Sequence, residues 1–288
     1  MNVETAIMPV AGAGTRVFPS TTSIEKCMMP VYAGEQTRPI IDFMVEDCAL
    51  AGIKRVIFVT TERGQQQLSD YFENINPNLQ AQLKRLGKDD IIEEETERRK
   101  AFGLSFEYII QPPTKYGTAY PPYIAREHLE GEDRFALMGG DDFVYRDDGT
   151  SELEEAIKLW GAAGTDHVIM GNRVSKAEGP KYGVLQVDDS SALISIDEKP
   201  PIEHVPEDPV VNISRYLLSD AIWPYIEEEM SNDRGKGEHH ITYPINQALA
   251  NGQTFQVHPV SGVYMDGGSF SGLLSASLYI SEHPKISR

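Results

Sequence analysis

The chain has 288 residues, 40% of them hydrophobic, and a formal charge of −18 at pH 7. That length can bury one large α/β core or two modest ones. The acidic excess excludes general affinity for nucleic acid or an anionic membrane, so an anionic ligand has to be met by a local cluster of cations.

The first such cluster lies in Thr5 to Val31, TAIMPVAGAGTRVFPSTTSIEKCMMPV. Ala6 to Val10 has the apolar character of a buried strand, and Gly12 and Gly14 let the following backbone turn sharply and bring its amides close to phosphate oxygens. A Walker loop would continue Gly-Lys-Ser/Thr, and a dinucleotide fingerprint would place a third small residue where Val17 stands. Neither pattern is completed. Phe18, Pro19 and the polar run Ser20 to Ser23 keep the segment long and irregular, so that Arg16 and Lys26 can fold over one anion. Taken alone, the glycines fit a tight surface turn equally well.

Further along, Ile41, Val45 and Cys48 fall at helical spacing within Ile40 to Leu50, which Gly52 closes. Arg55 to Thr60 has strand character, Gly64 to Tyr71 is a polar-faced helix, and Leu104 to Ile110 is another strand. The alternation predicts a parallel, doubly wound sheet. Between these elements Asp89 to Lys100 is a dense run of mixed charge, expected as a solvated helix or a mobile flap. Gln111, two prolines and Lys115-Tyr116-Gly117-Thr118-Ala119 follow at a strand's carboxyl end, where doubly wound sheets gather ligands; an amide and an accessible glycine backbone suit a nucleobase edge. Phe135 to Met138 predicts a strand ending in Gly139-Gly140-Asp141-Asp142. These carboxylates either coordinate magnesium beside a phosphate or cap the next turn.

The second half reads as hairpin-rich. Ser151 to Ala163 is helical, Asp166 to Gly171 a strand, and Lys181 to Leu185 and Ile194 to Lys199 form strands of a more antiparallel region. Ile196-Asp197-Glu198-Lys199-Pro200 places two acids and a cation at a strand end, a cluster that could bind the hydroxyls and phosphate of a sugar phosphate, or in which Glu198 and Lys199 form a surface ion pair. A strand at Val210 to Leu218, a helix from Trp223, a glycine-rich loop from Ser231 to His240, a helix over Thr242 to Ala250 and a strand over Thr254 to Pro259 follow. His239 and His240, being adjacent, diverge on a helix and are expected as structural or loop residues. Asp266 offers a last carboxylate before the helix Phe270 to Ile280. Cys27 and Cys48 make no metal-ligand spacing, and no stretch has the length of a signal segment or membrane span; the expected compartment is a reducing cytoplasm.

Together Ala11-Gly12-Ala13-Gly14-Thr15-Arg16, and Lys26 before Met28-Met29-Pro30, resemble the signature of the sugar-1-phosphate nucleotidylyltransferases. The similarity recurs in order at Gln111, Gly117, Asp141, Lys181-Tyr182-Gly183-Val184, Glu198-Lys199-Pro200, Arg215 to Leu218, Ile222-Trp223-Pro224, Gly237-Glu238 and Asp266. The Tyr-Gly-Val, Glu-Lys-Pro and Ile-Trp-Pro elements favour the uridylyl branch over the thymidylyl branch. The resemblance implies one α/β domain over residues 1–288, a Rossmann-like doubly wound mixed sheet with a smaller antiparallel sugar-binding region. Residues 1–172 would form mainly the nucleotide half and 173–288 mainly the sugar half with the C-terminal helix.

It also implies a magnesium-dependent transfer from UTP to glucose 1-phosphate, giving UDP-glucose and pyrophosphate, in a homodimer or homotetramer. By the same resemblance, Ala11, Gly12, Ala13, Gly14, Thr15, Gln111 and Gly117 would contact the nucleotide. Arg16 and Lys26 would hold the triphosphate, and Asp141 and Asp266 the metal. Gly183 and Glu198 would line the sugar pocket, with Lys199 on its phosphate. Four places depart from the branch pattern: Cys27 for an acid, Gly-Gly-Asp-Asp-Phe for Leu-Pro-Asp-Val, Pro112-Pro113 for a freer run, and Ser214 for a glycine. None removes a phosphate or metal ligand. The alternatives are a dTTP-using thymidylyltransferase and a catalytically silent binding protein that could dispense with Lys26, Asp141 or Asp266. A nicotinamide oxidoreductase is disfavoured by the incomplete glycine fingerprint.

Overall fold

The computed structural model describes residues 2–34, 36–235 and 237–285. Among the described residues thirteen strands and nine α-helices succeed one another: β1 (Thr5–Pro9), β2 (Pro30–Tyr32), β3 (Thr37–Pro39), α1 (Ile40–Leu50), β4 (Arg55–Thr60), α2 (Glu62–Phe72), α3 (Pro77–Arg85), α4 (Asp89–Ala101), β5 (Ser105–Ile110), α5 (Tyr120–Ala125), β6 (Arg134–Met138), β7 (Phe143–Tyr145), α6 (Glu152–Ala163), β8 (His167–Arg173), β9 (Gly183–Val187), β10 (Leu193–Glu198), β11 (Val210–Ser219), α7 (Trp223–Ser231), α8 (Thr242–Ala250), β12 (Phe255–Pro259), β13 (Val263–Met265) and α9 (Phe270–Glu282). Strands β6, β1, β4 and β5 lie side by side and parallel, as the sequence predicts.

The antiparallel half is continuous with them. Long β11 pairs with β6 through Arg215 to Ser219, with β8 from Val210 to Leu217 around a bulge, and with β9 at Val210 and Val211, and β12 and β10 complete a nine-stranded mixed sheet.

The period of two in the strands decides which helix layer each side chain meets. Ala6, Met8, Val56, Phe58, Ala136 and Met138 pack on the face covered by α1, α2, α6 and α9. Ile7, Ile57, Val59, Phe135 and Leu137 pack on the opposite face with Trp223 and Ile226 of α7 and Ile245 of α8. Both faces are buried, which is why these strands read as continuous apolar runs rather than alternating ones.

Three features escape the periodicity. Helix α3 is mostly polar and exposed, yet Asn76 caps it by accepting from the amides of Asn78 (2.9 Å) and Leu79 (3.3 Å), with Pro77 in its first turn. Strand pairs β2–β3 and β7–β13 are three residues each, too short for a pattern. The second pair matters most, because Met265 lies opposite Phe143. That register draws Asp266 beside the Asp141–Asp142 corner.

Candidate active site

The carboxyl ends of β1 and β6 open onto a cavity of about 440 Å³. Ala11, Gly12, Ala13, Gly14, Lys26, Gln111, Gly117 and Asp141, scattered over 130 residues of chain, all line it. Close strand-end packing needs the glycines. A Cβ on Gly140 would lie 2.5 Å from the Pro9 carbonyl oxygen, and one on Gly14 (φ +61°) would meet the Thr21 methyl at 2.6 Å.

The floor of the cavity is charged. Lys26 Nζ donates to Asp141 Oδ2, and Arg16 reaches that oxygen at 3.7 Å and Asp266 Oδ2 at 3.9 Å. Asp266 is fixed by its own turn, accepting from Gly268 N at 2.8 Å and Ser269 Oγ at 3.0 Å. A Cβ on Gly268 would stand 2.8 Å from both Lys26 Nζ and Asp266 Oδ1 and 2.5 Å from Arg16. Two cations and two carboxylates therefore converge on one small volume. The carboxylates are about two-fifths exposed, leaving oxygens for a hard cation. Magnesium suits such a donor set, since it takes one or two carboxylates and completes its shell with water and phosphate.

Thr15 and Arg16 form a short 3-10 turn just beyond the cavity lining, with both side chains exposed. Glu198 ends β10 opposite Gly183 of β9, where a Cβ would meet Glu198 Oε1 at 3.2 Å. Lys199 follows with φ +46°, a left-handed conformation uncommon outside glycine, and donates its amide to Tyr182 O at 3.0 Å. Tyr182 in turn lines a second cleft of about 460 Å³, with Asn172, Arg173, Tyr264 and Asp266. Asp266 thus faces this cleft while Asp141 faces the first. Arg16 reaches both carboxylates.

The groups packed behind these residues carry no sequence signal of their own. Gly117 (φ +113°) lies flat on His239, whose amide donates to Tyr116 O and whose carbonyl accepts from Ala119 N, both at 2.8 Å. His239 is buried and its Nδ1 lies 2.9 Å from Glu229 Oε1, which also accepts from Arg234 Nε at 2.9 Å. His239 thus braces the Gly117 turn, while half-exposed His240 sets its ring edge-on to Tyr243. Behind Asp141, buried Asp142 accepts from Arg215 Nη2 (3.1 Å) and from the Tyr264 hydroxyl (2.7 Å). Burial pushes its carboxyl up to about 7; Arg215 opposes this and Asp141 adds to it. Ser214 occupies the bulge of β11 at φ +55°, where its carbonyl accepts from Gly139 N at 2.7 Å, and it lines the first cavity. A non-glycine residue there is the conformational cost of the departure noted in the sequence.

The sequence profile of the nucleotidyl transferase family matches residues 5–283. The chain belongs to this family.

Within the nucleotidyl transferase family, a putative UTP–glucose-1-phosphate uridylyltransferase of Methanocaldococcus jannaschii is 31% identical over 96% of this chain and 93% of that protein. The UTP–glucose-1-phosphate uridylyltransferase of Pseudomonas aeruginosa is 30% identical over 98% and 97%. The UTP-bound UGPase from Acinetobacter baumannii superposes with a TM-score of 0.84 at 29% identity, covering 99% of this chain and 95% of that one.

One acid-rich cluster lies apart from this site. Glu152, Glu155 and His258 gather within 4.8 Å of one another. However, the Glu152 oxygens already accept from Ser261 N (2.8 Å), Gly262 N (2.9 Å), His258 Nε2 (3.0 Å) and Arg146 (3.3 Å), so this carboxylate anchors a loop. Cys27, where an acid is usual, is buried, and its thiol is pushed up to about 12 by burial and by Glu25. Such a thiol packs and does not react. Among the described residues no helix is long and apolar enough to cross a membrane.

Proposed function

We infer that the chain transfers a uridylyl group from UTP to glucose 1-phosphate, giving UDP-glucose and pyrophosphate. The observation that carries this reading is the convergence of Arg16, Lys26, Asp141 and Asp266 between two clefts, one walled by the glycine loop and Gln111, the other leading toward Tyr182. The Ala11 to Thr15 backbone and the Gln111 side chain hold the nucleotide, with Gly117 closing over it. Gly183 and Glu198 hold glucose, and Lys199 holds its phosphate. Residues 1–172 supply most of the nucleotide contacts and 173–288 most of the sugar contacts.

The reaction is attack of a glucose 1-phosphate oxygen on the α-phosphorus of UTP, in line with the departing pyrophosphate. The attacking oxygen is already anionic, so no general base is needed, and catalysis reduces to positioning and charge neutralisation. Arg16 and Lys26 stabilise the charge that develops on the leaving phosphates. Asp141 and Asp266 would hold magnesium, which when bound offsets phosphate charge. In the structure as it stands Lys26 and Arg16 neutralise the two carboxylates; a triphosphate offers them a competing anion.

The enzyme works as a cytoplasmic homodimer or homotetramer. Phe270, Leu274 and Leu278 support the assembly, because they recur every four residues along α9 and are 74%, 53% and 55% exposed, an apolar stripe with a use in a subunit contact. The test of the reaction is pyrophosphate release from each nucleoside triphosphate with glucose 1-phosphate and magnesium. UTP is expected to be the best donor, and Lys26→Ala should lower the rate about 100-fold or more. Release no faster than that of the variant for any triphosphate would end the enzyme reading; a large preference for dTTP would move only the branch.

A further inference from the structure

The loop that carries Lys26 packs Cys27 and Met29 into the core, with Ile24 and Met28 partly buried against it. On its rear side, Ile24 and Met28 face an open, largely apolar cavity of about 550 Å³ between α2, α3 and α4. Ahead of Lys26, the segment Thr21–Glu25 is held by polar groups from the first two turns of α2. Arg63 donates from Nε to Glu25 Oε1 (2.9 Å), from Nη1 to Thr22 O (3.0 Å) and from Nη2 to Thr21 O (3.0 Å). Thr61, the cap of α2, donates its hydroxyl to the same Glu25 oxygen at 2.8 Å while accepting from Gly64 N at 3.0 Å. One turn on, Gln67 accepts from Glu25 N (2.9 Å) and donates to Ser23 O (3.1 Å).

We propose that Arg63, acting with buried Glu25, is a positioning residue for the triphosphate: it fixes the segment Thr21–Glu25 and through it Lys26 and Gly14. Two contacts transmit the effect. Lys26 directly follows Glu25 in the chain, and Thr21 packs its methyl against Gly14, the hinge of the phosphate loop. Neither Arg63 nor any of its bonding partners lines the nucleotide cavity. Only a planar fork can bond one carboxylate and two carbonyls at once. Lysine in its place keeps the charge opposite Glu25 and loses the two carbonyl bonds. Gly64 is part of the device, since a Cβ there would crowd Thr60 and Thr61 and stand 3.5 Å from Glu25.

This inference rests on the proposed nucleotide site, and its experiment separates the two. Binding of UTP with magnesium is measured by calorimetry for the wild type, Arg63→Met, Arg63→Lys and Gln67→Met, alongside KM for each substrate and the urea midpoint. Arg63→Met should weaken UTP binding about tenfold, the loss expected when a charge-assisted set of bonds no longer holds the loop. KM for glucose 1-phosphate should stay within about twofold, because Glu198 and Lys199 stand on β10 and its end. Arg63→Lys should fall between, and Gln67→Met should shift UTP binding in the same direction. UTP binding unchanged in both methionine variants, or both KM values rising together with a lowered urea midpoint, would overturn the assignment. A wild-type protein that binds UTP and makes no UDP-glucose would fell the reaction instead and leave Arg63 to be judged by binding alone.

Discussion

At the residue scale, the decisive positions are those where backbone and charge leave no substitute. Gly117 is one: a Cβ would stand 2.4 Å from the amide nitrogen and carbonyl oxygen of His239, at a φ of +113°. An alanine there carries roughly 1–3 kcal/mol of strain, against about 1 kcal/mol for each of the two His239 hydrogen bonds. The strap over the nucleotide cavity should therefore open locally while the core stays folded. Gly117→Ala should raise KM for UTP about tenfold with little change in urea midpoint; an unchanged KM would show that the strap does not cover the nucleotide. Asp141→Asn removes a charge and almost no volume, so turnover should fall by roughly 100-fold or more while the circular dichroism spectrum is retained. Undiminished turnover would remove Asp141 from the metal site.

At the element scale, α4 shows how far one charged run divides into buried and exposed roles. Asp89 and Asp90 in its first turn and Arg98, Arg99 and Lys100 in its last suit the helix dipole. The basic residues then part company. Arg98 Nη2 lies 2.9 Å from Asp42, a fully buried carboxylate on α1, and Arg99 stacks over Tyr71 at 3.9 Å. Burial alone would raise Glu95, but hydrogen bonds from Arg98 and Arg99 overcome it and hold the carboxyl at about 2. Lys100 pairs with exposed Glu97. Arg98→Ala should cost about 1–3 kcal/mol in urea unfolding, whereas Lys100→Ala should leave the midpoint unmoved; equal effects would mean that Asp42 does not need Arg98.

The same helix marks what the sequence makes legible. Its charge pattern fits a helix or flap, and the residues singled out around the glycine loop, Lys26, Gln111 and Asp141, are ones that the structure brings to one cavity; singly each fits a plain turn or surface role, and only their order along the chain points to a common site. The grip of Arg98 on Asp42, the His239 strap and the Asp142–Arg215–Tyr264 group depend on pairings across 50 to more than 120 residues. No local pattern reports such contacts. The short β7–β13 pair that sets Asp266 beside Asp141 is invisible for the same reason.

At the scale of the whole molecule, acid pH acts in two opposite ways. Lowering pH toward the isoelectric point near 4.8 relieves the self-repulsion of a chain with 18 excess negative charges. Against this stands His167, fully buried and stacked on Phe255 at 4.3 Å in the sheet half formed by β8 and β12. Its Nδ1 accepts from Ser219 N (3.1 Å), so the ring is neutral with its proton on Nε2, which donates to Gln253 Oε1 at 2.6 Å. Burial holds its pKa below the ordinary 6.5, outweighing Gln253, Asp166 and Asp220, which raise it. The unfolded chain therefore takes up this proton more readily than the folded one. The stability that His167 contributes is complete above pH ~6.5 and is lost as pH falls from there toward the folded pKa, at up to about 1.4 kcal/mol per pH unit. His167→Asn keeps an acceptor near Ser219 and cannot titrate. The wild-type advantage over this variant in urea unfolding should shrink between pH 7.5 and 5.5, and the subtraction cancels the net-charge effect common to both proteins. An advantage that holds constant across that range would show that the ring accepts its proton as readily inside the sheet as in water.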